Sequence, residues 1–155
     1  MRLPLLAAVL ATALGPAPFA TAQDNVPASV KARHHVMQVN GYAMGILGAM
    51  AKGEADYDAA MAASAAKNIH AMAMTDPVSL WTPGTEQGAS PDSRAKPEIW
   101  SDMEGFKAAF ADFEQASAKL AEAAGTDLEA MKAAMGPVGK GCGDCHEKFR
   151  GPKNE

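Results

Sequence analysis

Residues 126–150 read TDLEAMKAAMGPVGKGCGDCHEKFR. Leu128, Met131, Met135, Val138, Cys142, Cys145 and Phe149 follow one another at alternate spacings of three and four. That period predicts one amphipathic helix with both cysteines on its core-facing seam. Thr126-Asp127-Leu128-Glu129 reads as a capping box at its start. Gly136-Pro137 is expected to kink or loosen it one turn before the cysteines. Cys142, Cys145 and His146 spell C-x-x-C-H. On a helix the two sulfurs project from one face, and the imidazole rises beside them. That is the attachment signature of c-type haem: two thioethers to the vinyl groups and a proximal histidine on iron. The chain has no other cysteine, so a Cys-rich zinc site lacks ligands. A thioredoxin-like pair would need a βαβ setting that is not visible. The plain alternatives are a disulfide or a chance match.

Upstream of this helix the mature sequence is rich in Ala and Met and divided by Gly and Pro, which favours helices. The first is expected from Pro27 to Lys52, with Pro27 in its first turn and Gly53 as its stop. Its stripe includes Val36, Met37, Ala43, Met44, Leu47 and Met50. Asn40-Gly41 interrupts the pattern without shifting its phase, so Gly41 reads as a close-approach position. The second is expected from Asp56 to Met74, with Met61, Ala65, Ile69 and Met72 inside, and Asp76-Pro77 ends it. Thr75 to Trp100 forms a long connection, pinned to the core by Leu80, Trp81, Ile99 and Trp100. The third helix opens with Ser101-Asp102-Met103-Glu104, a second capping box. Phe106, Phe110, Phe113, Ala116 and Leu120 form its inner stripe, and Gly125 ends it. The fold class is all-α: an antiparallel four-helix bundle with one long crossover loop and haem near the C-terminal helix.

The chain has 155 residues, enough for one domain. Met1–Ala22 reads as a secretory signal, with Arg2, the apolar run LPLLAAVLATALG and an Ala20-Thr21-Ala22 cleavage site. Residues 23–155 are then expected to be the mature haem-bearing four-helix domain, exported to the periplasm and not inserted in the membrane. Formal net charge is −4, and −5 once Arg2 leaves with the signal, which argues against nucleic-acid binding. The basic residues gather at the haem-bearing end: Lys132, Lys140, Lys148, Arg150 and Lys153.

The occupant of the sixth iron position decides the function. Methionines and His34, His35 and His70 are the candidates. Most methionines are expected to fill the core, and the His34-His35 pair reads as a solvated face. Met37 lies on the inner stripe four residues after Arg33, and an arginine suits a haem propionate. No distal His-Arg pair is placed by spacing, so an enzyme such as a peroxidase is not expected.

C-x-x-C-H near the C-terminus of such a bundle resembles the class II cytochromes c, the family of the high-spin cytochromes c′ and the low-spin cytochrome c-556 type. MQVNGYAMGILGAMAKGEADYDAA (37–60) is similar to the first-helix region of the c-556 type, where the corresponding Met is the sixth ligand. MKAAMGPVGKGCGDCHEKFR (131–150) is similar too, whereas PGTEQGASPDSRAKPEIWSD (83–102) resembles cytochrome c′. Arg33 falls at that family's propionate-binding arginine. The resemblance implies one covalent haem c per chain, redox partner proteins, and a homodimer through the first two helices. The leading expectation is a periplasmic electron carrier with His146/Met37 ligation. The alternative is a five-coordinate haem that binds nitric oxide or carbon monoxide.

Overall fold

The computed structural model describes residues 26–153. The expected signal segment, its cleavage site and the start of the mature chain lie outside the described residues. Six helices occur among the described residues: α1 (Ala28–Lys52), α2 (Ala59–Ala73), α3 (Pro77–Leu80), α4 (Glu98–Ser101), α5 (Met103–Ala123) and α6 (Leu128–Phe149). The long ones, α1, α2, α5 and α6, form the four-helix bundle. The described residues contain no helix long and apolar enough to cross a membrane.

Helix ends follow local hydrogen bonding. Gly53 stops α1 at φ 74°, a left-handed conformation that glycine adopts without strain. Its N–H donates to the Met50 carbonyl, and Glu54 N–H reaches back to Ala49, a Schellman closure. α2 begins later than expected because Asp58 is the cap: its carboxylate accepts from Met61 N–H. Both expected capping boxes are displaced by one residue. Asp102, not Ser101, accepts from Gly105 N–H, and Asp127, not Thr126, accepts from Ala130 N–H. Thr126 turns its hydroxyl back to the Ala123 carbonyl instead. A carboxylate is the better partner for the positive end of a helix, so it takes the cap.

α6 runs as one helix through Pro137, which is exposed. One further expectation is corrected. A Cβ on Gly41 would meet no protein atom within 4 Å, so Gly41 is not where helices approach. That place is Gly125, whose Cβ would stand 3.0 Å from the Ala63 Cβ.

Two apolar clusters fill the bundle. One is built of small and aliphatic residues: Ala43, Leu47 and Met50 of α1, Ala62, Ala65, Ala66 and Ile69 of α2, Leu120 of α5, and Met131 and Val138 of α6. Met61, expected inside, is exposed. The other cluster is aromatic: Trp81, Phe106, Phe110 and Phe149, with Ala95 and Ile99. Phe106 meets Trp81, Phe110 and Phe149 edge to face at 5.0–5.2 Å. The crossover is pinned as expected, with Trp81 and Ile99 buried and the Trp100 ring N–H donating to the Trp81 carbonyl. It is less irregular than expected, because α3 and α4 lie within it. Asp76 caps α3 by accepting from Val78 N–H, so Asp76-Pro77 both follows one helix and starts the next.

The caps are separable by thermal or denaturant melting. Asp127→Ala should cost about 1 kcal/mol, and Thr126→Ala clearly less; the reverse order would place the cap at Thr126. Phe106→Ala should cost about 3–5 kcal/mol, since it empties the centre of the aromatic cluster.

Candidate functional site

A cavity of about 700 Å³ opens between α1, α5, α6 and the crossover. One helical face of α1 borders it with Arg33, Met37, Asn40, Gly41 and Met44. α6 contributes Cys142, Cys145 and His146 from one face, as their spacing requires. Trp81, Phe106, Phe110, Phe113 and Phe149 supply apolar wall, and Arg94 and Arg150 lie at the border near His146.

All five residues singled out for haem, Arg33, Met37, Cys142, Cys145 and His146, are thus on one cavity. His34 borders it as well and is half-buried, so only His35 has the solvated setting expected of the pair; its Nδ1 lies 3.2 Å from Gln38 Oε1. His70 is elsewhere, 3.1 Å from the Ser117 hydroxyl across α2 and α5. Met37 packs against the aromatic cluster, as does Cys145.

Burial sets the protonation of the α6 groups. It pushes the Cys142 thiol up, and the Cys145 thiol up to about 11, where the neighbouring Cys142 adds to the effect. Burial pulls His146 below its ordinary value, with Arg150 and Arg94 acting in the same direction. His146 is therefore held as the neutral imidazole, the form that binds a metal.

Arg33 is 4% exposed. Its guanidinium donates to the Thr85 hydroxyl at 2.9 Å, the Thr85 carbonyl at 2.7 Å and the Ser93 hydroxyl at 2.7 Å, and lies 5.9 Å from the centre of the Trp81 ring. Among the described residues no carboxylate pairs with it. Burial draws its pKa down, but an arginine stays charged in a protein. Asn40, seven residues along the same helix, has a buried side-chain oxygen without a hydrogen-bond partner. The apolar wall and the Arg33 charge without a counter-ion are the signs of a site built for a large, mostly apolar group that carries negative charge. Two thiols and an imidazole on one helical face, an apolar wall and an unpaired buried cation fit haem c.

The comparisons with known proteins agree. Residues 28–150 match the family described as Cytochrome C'. The chain belongs to the cytochrome c′ family. It is 42% identical over 121 residues to cytochrome c-554 of Cereibacter sphaeroides, covering 78% of this chain and 91% of that one. The solved cytochrome c′ of a Rhodobacter superposes with a TM-score of 0.76 at 38% identity, covering 81% of this chain and 96% of that one. A nitric oxide complex of a single-residue variant of the Alcaligenes xylosoxidans cytochrome c prime superposes with a TM-score of 0.71 at 34% identity, covering 88% of this chain and all of that one. Most relatives carry the name cytochrome c′, and the low-spin c-556 subtype expected from the first helix is not confirmed. As a member of the cytochrome c′ family the chain carries one covalently attached haem c and is an electron-carrying haem protein.

Sequence reasoning missed Thr85, Ser93, Asn40 and Arg94. The crossover residues have no period to betray them, and Asn40 reads there only as a break in the stripe.

A bundle with this cavity empty has lost its largest apolar contact. The haem-free chain should be less helical and melt well below the holoprotein, by linkage of cofactor binding to folding. Circular dichroism of both forms checks this; coincident melting curves would show that the cavity does not depend on its occupant.

Proposed function

We propose that Cys142 and Cys145 form the two thioethers, that His146 binds iron, and that Arg33 faces a haem carboxylate. The observation that carries this reading is the convergence of these four side chains on one apolar-walled cavity. When bound, the haem supplies an iron that exchanges single electrons and takes a small gas where an axial position is open. α6 holds both sulfurs and the imidazole on one rigid face. The aromatic wall limits water at the site, and Arg33 offsets negative charge there.

The side of the cavity facing His146 sets the finer activity. We read it as an open, apolar position that accepts nitric oxide or carbon monoxide. Met37 supports this by packing as wall against the aromatic cluster, and so do the relatives, most of them cytochromes c′. This reading takes the place of the His146/Met37 electron carrier that the first helix suggested. The latter keeps one observation in its favour: Met37 borders the same cavity as His146. We assign the protein to the periplasm on the strength of its export-like first 22 residues. Redox proteins are its partners in this setting. At the basic end Lys140 pairs with Asp144 and Lys148 with Asp102. Arg150 and Lys153 are left to steer an acidic partner. Exposed Val39 and Tyr42 on α1 and Met61 on α2 suit a homodimer through these helices.

Attachment is tested by extraction. Haem should survive acid-acetone treatment, and Cys142→Ser or Cys145→Ser should sharply lower holoprotein yield. Free extraction of haem from the unmutated protein would end the thioether assignment.

Optical spectra and gas binding separate the two axial readings. The oxidised protein should be high-spin near neutral pH, and the reduced protein should take up carbon monoxide readily. Met37→Ala should then leave the spin state alone. A low-spin spectrum with a weak far-red methionine-to-iron band, and a Met37→Ala variant that turns high-spin and binds carbon monoxide faster, would make Met37 a ligand.

A further inference from the structure

Arg33 is held by oxygen atoms of the crossover, and those atoms are themselves fixed. The Thr85 hydroxyl donates to the Thr82 carbonyl at 2.6 Å while accepting from Arg33 Nη1. The Ser93 hydroxyl donates to the Thr85 carbonyl at 2.6 Å while accepting from Arg33 Nη2, and Ala95 N–H also reaches it at 3.3 Å. Ser93 is fully buried and Thr85 nearly so. Each hydroxyl has one hydrogen. Once that hydrogen is committed to a carbonyl, the oxygen can only accept from Arg33. All three acceptors are neutral, so the guanidinium keeps its full charge. Three of its five N–H donors are engaged, which leaves the Nε hydrogen and one Nη1 hydrogen without a protein acceptor among the described residues.

We infer that Thr85 and Ser93 are positioning residues, which aim the Arg33 guanidinium at a carboxylate of the haem without neutralising it. A carboxylate from the protein in their place would cancel the charge. Water would let the long side chain wander, and an arginine held by neutral oxygens does neither. The other charged or titratable groups at the cavity are His34 from α1, Arg94 from the crossover, Cys142, Cys145 and His146 from α6, and Arg150 just beyond its end. Of these groups, Arg33 alone is buried. The inference rests on the assignment of Arg33 to a haem carboxylate, and the test keeps the two apart.

Resonance Raman spectra of the reduced holoprotein read the bending band of the haem propionates. Its frequency falls as hydrogen bonds to them weaken, and a loss of packing elsewhere does not move it. Arg33→Gln should lower the band. Ser93→Ala and Thr85→Val should lower it in the same direction by a smaller amount, with haem still attached. Thr85→Ser keeps the hydroxyl and should match the unmutated protein. If Arg33→Gln leaves the band in place, the carboxylate assignment fails and the positioning role with it. If Arg33→Gln moves it while Ser93→Ala and Thr85→Val do not, the assignment stands and the positioning role is overturned. Should Ser93→Ala fail to accumulate, Thr85→Val against Thr85→Ser decides alone.

Discussion

A close-packed bundle does not keep an apolar void of about 700 Å³ open by itself. The rest of this structure follows from that constraint. The void lies where α1 and α6 stand apart, and Trp81, Phe106, Phe110, Phe113 and Phe149 form much of its wall. Trp81 and Phe106 form a braced group with Phe110 and Phe149, every close pair edge to face. Such pairs contribute about 0.5–1.5 kcal/mol each beyond their buried area. They also keep rings from collapsing inward, because each ring is fixed by its neighbours.

Within that wall the charged groups are few, and their settings differ. Before haem is attached, burial keeps Cys145 and His146 uncharged, one as thiol and one as imidazole. Arg33 is kept charged because arginine does not yield its proton. Removing a charge from water costs several kcal/mol unless something compensates. Three neutral hydrogen bonds and the face of Trp81 offset part of that cost. The remainder is offset only when an anion arrives. The lone oxygen of Asn40 is a different case: it is an acceptor, and a donor rather than an anion would satisfy it.

The parts of the fold governed by period were legible in the sequence. Leu128 through Phe149 gave one helix, and the C-x-x-C-H spacing gave one face. Gly53 gave a stop because only a left-handed residue closes a helix that way. Ser101 and Thr126 misled because the capping pattern accepts any short polar residue, while the backbone chose the aspartate beside each. Met61 misled because its helix is so rich in alanine that a neighbouring phase, Ala62, Ala65, Ala66 and Ile69, fits the interior equally well. Met37 and Arg33 were found through helical phase, since both lie on the stripe of α1. Thr85 and Ser93 could not be found that way. Their role comes from a loop that folds back on itself, and no local pattern encodes that closure.

The two clusters divide the work by residue size. Alanines let α2 approach its neighbours closely, so that a Cβ on Gly125 would stand only 3.0 Å from that of Ala63. That half of the bundle is tight and needs no occupant. The aromatic half is built around space. Because α1, α5 and α6 each run through both halves, the tight half fixes the axes along which the open half is held apart. α1 carries Leu47 and Met50 in one cluster and Met37 beside the other. α6 carries Met131 and Val138 in one and Phe149 in the other. A side chain at the cavity is therefore placed by packing several turns away. This is how packing in the tight half sets where two sulfurs, an imidazole and a guanidinium stand around the space that an occupant must fill.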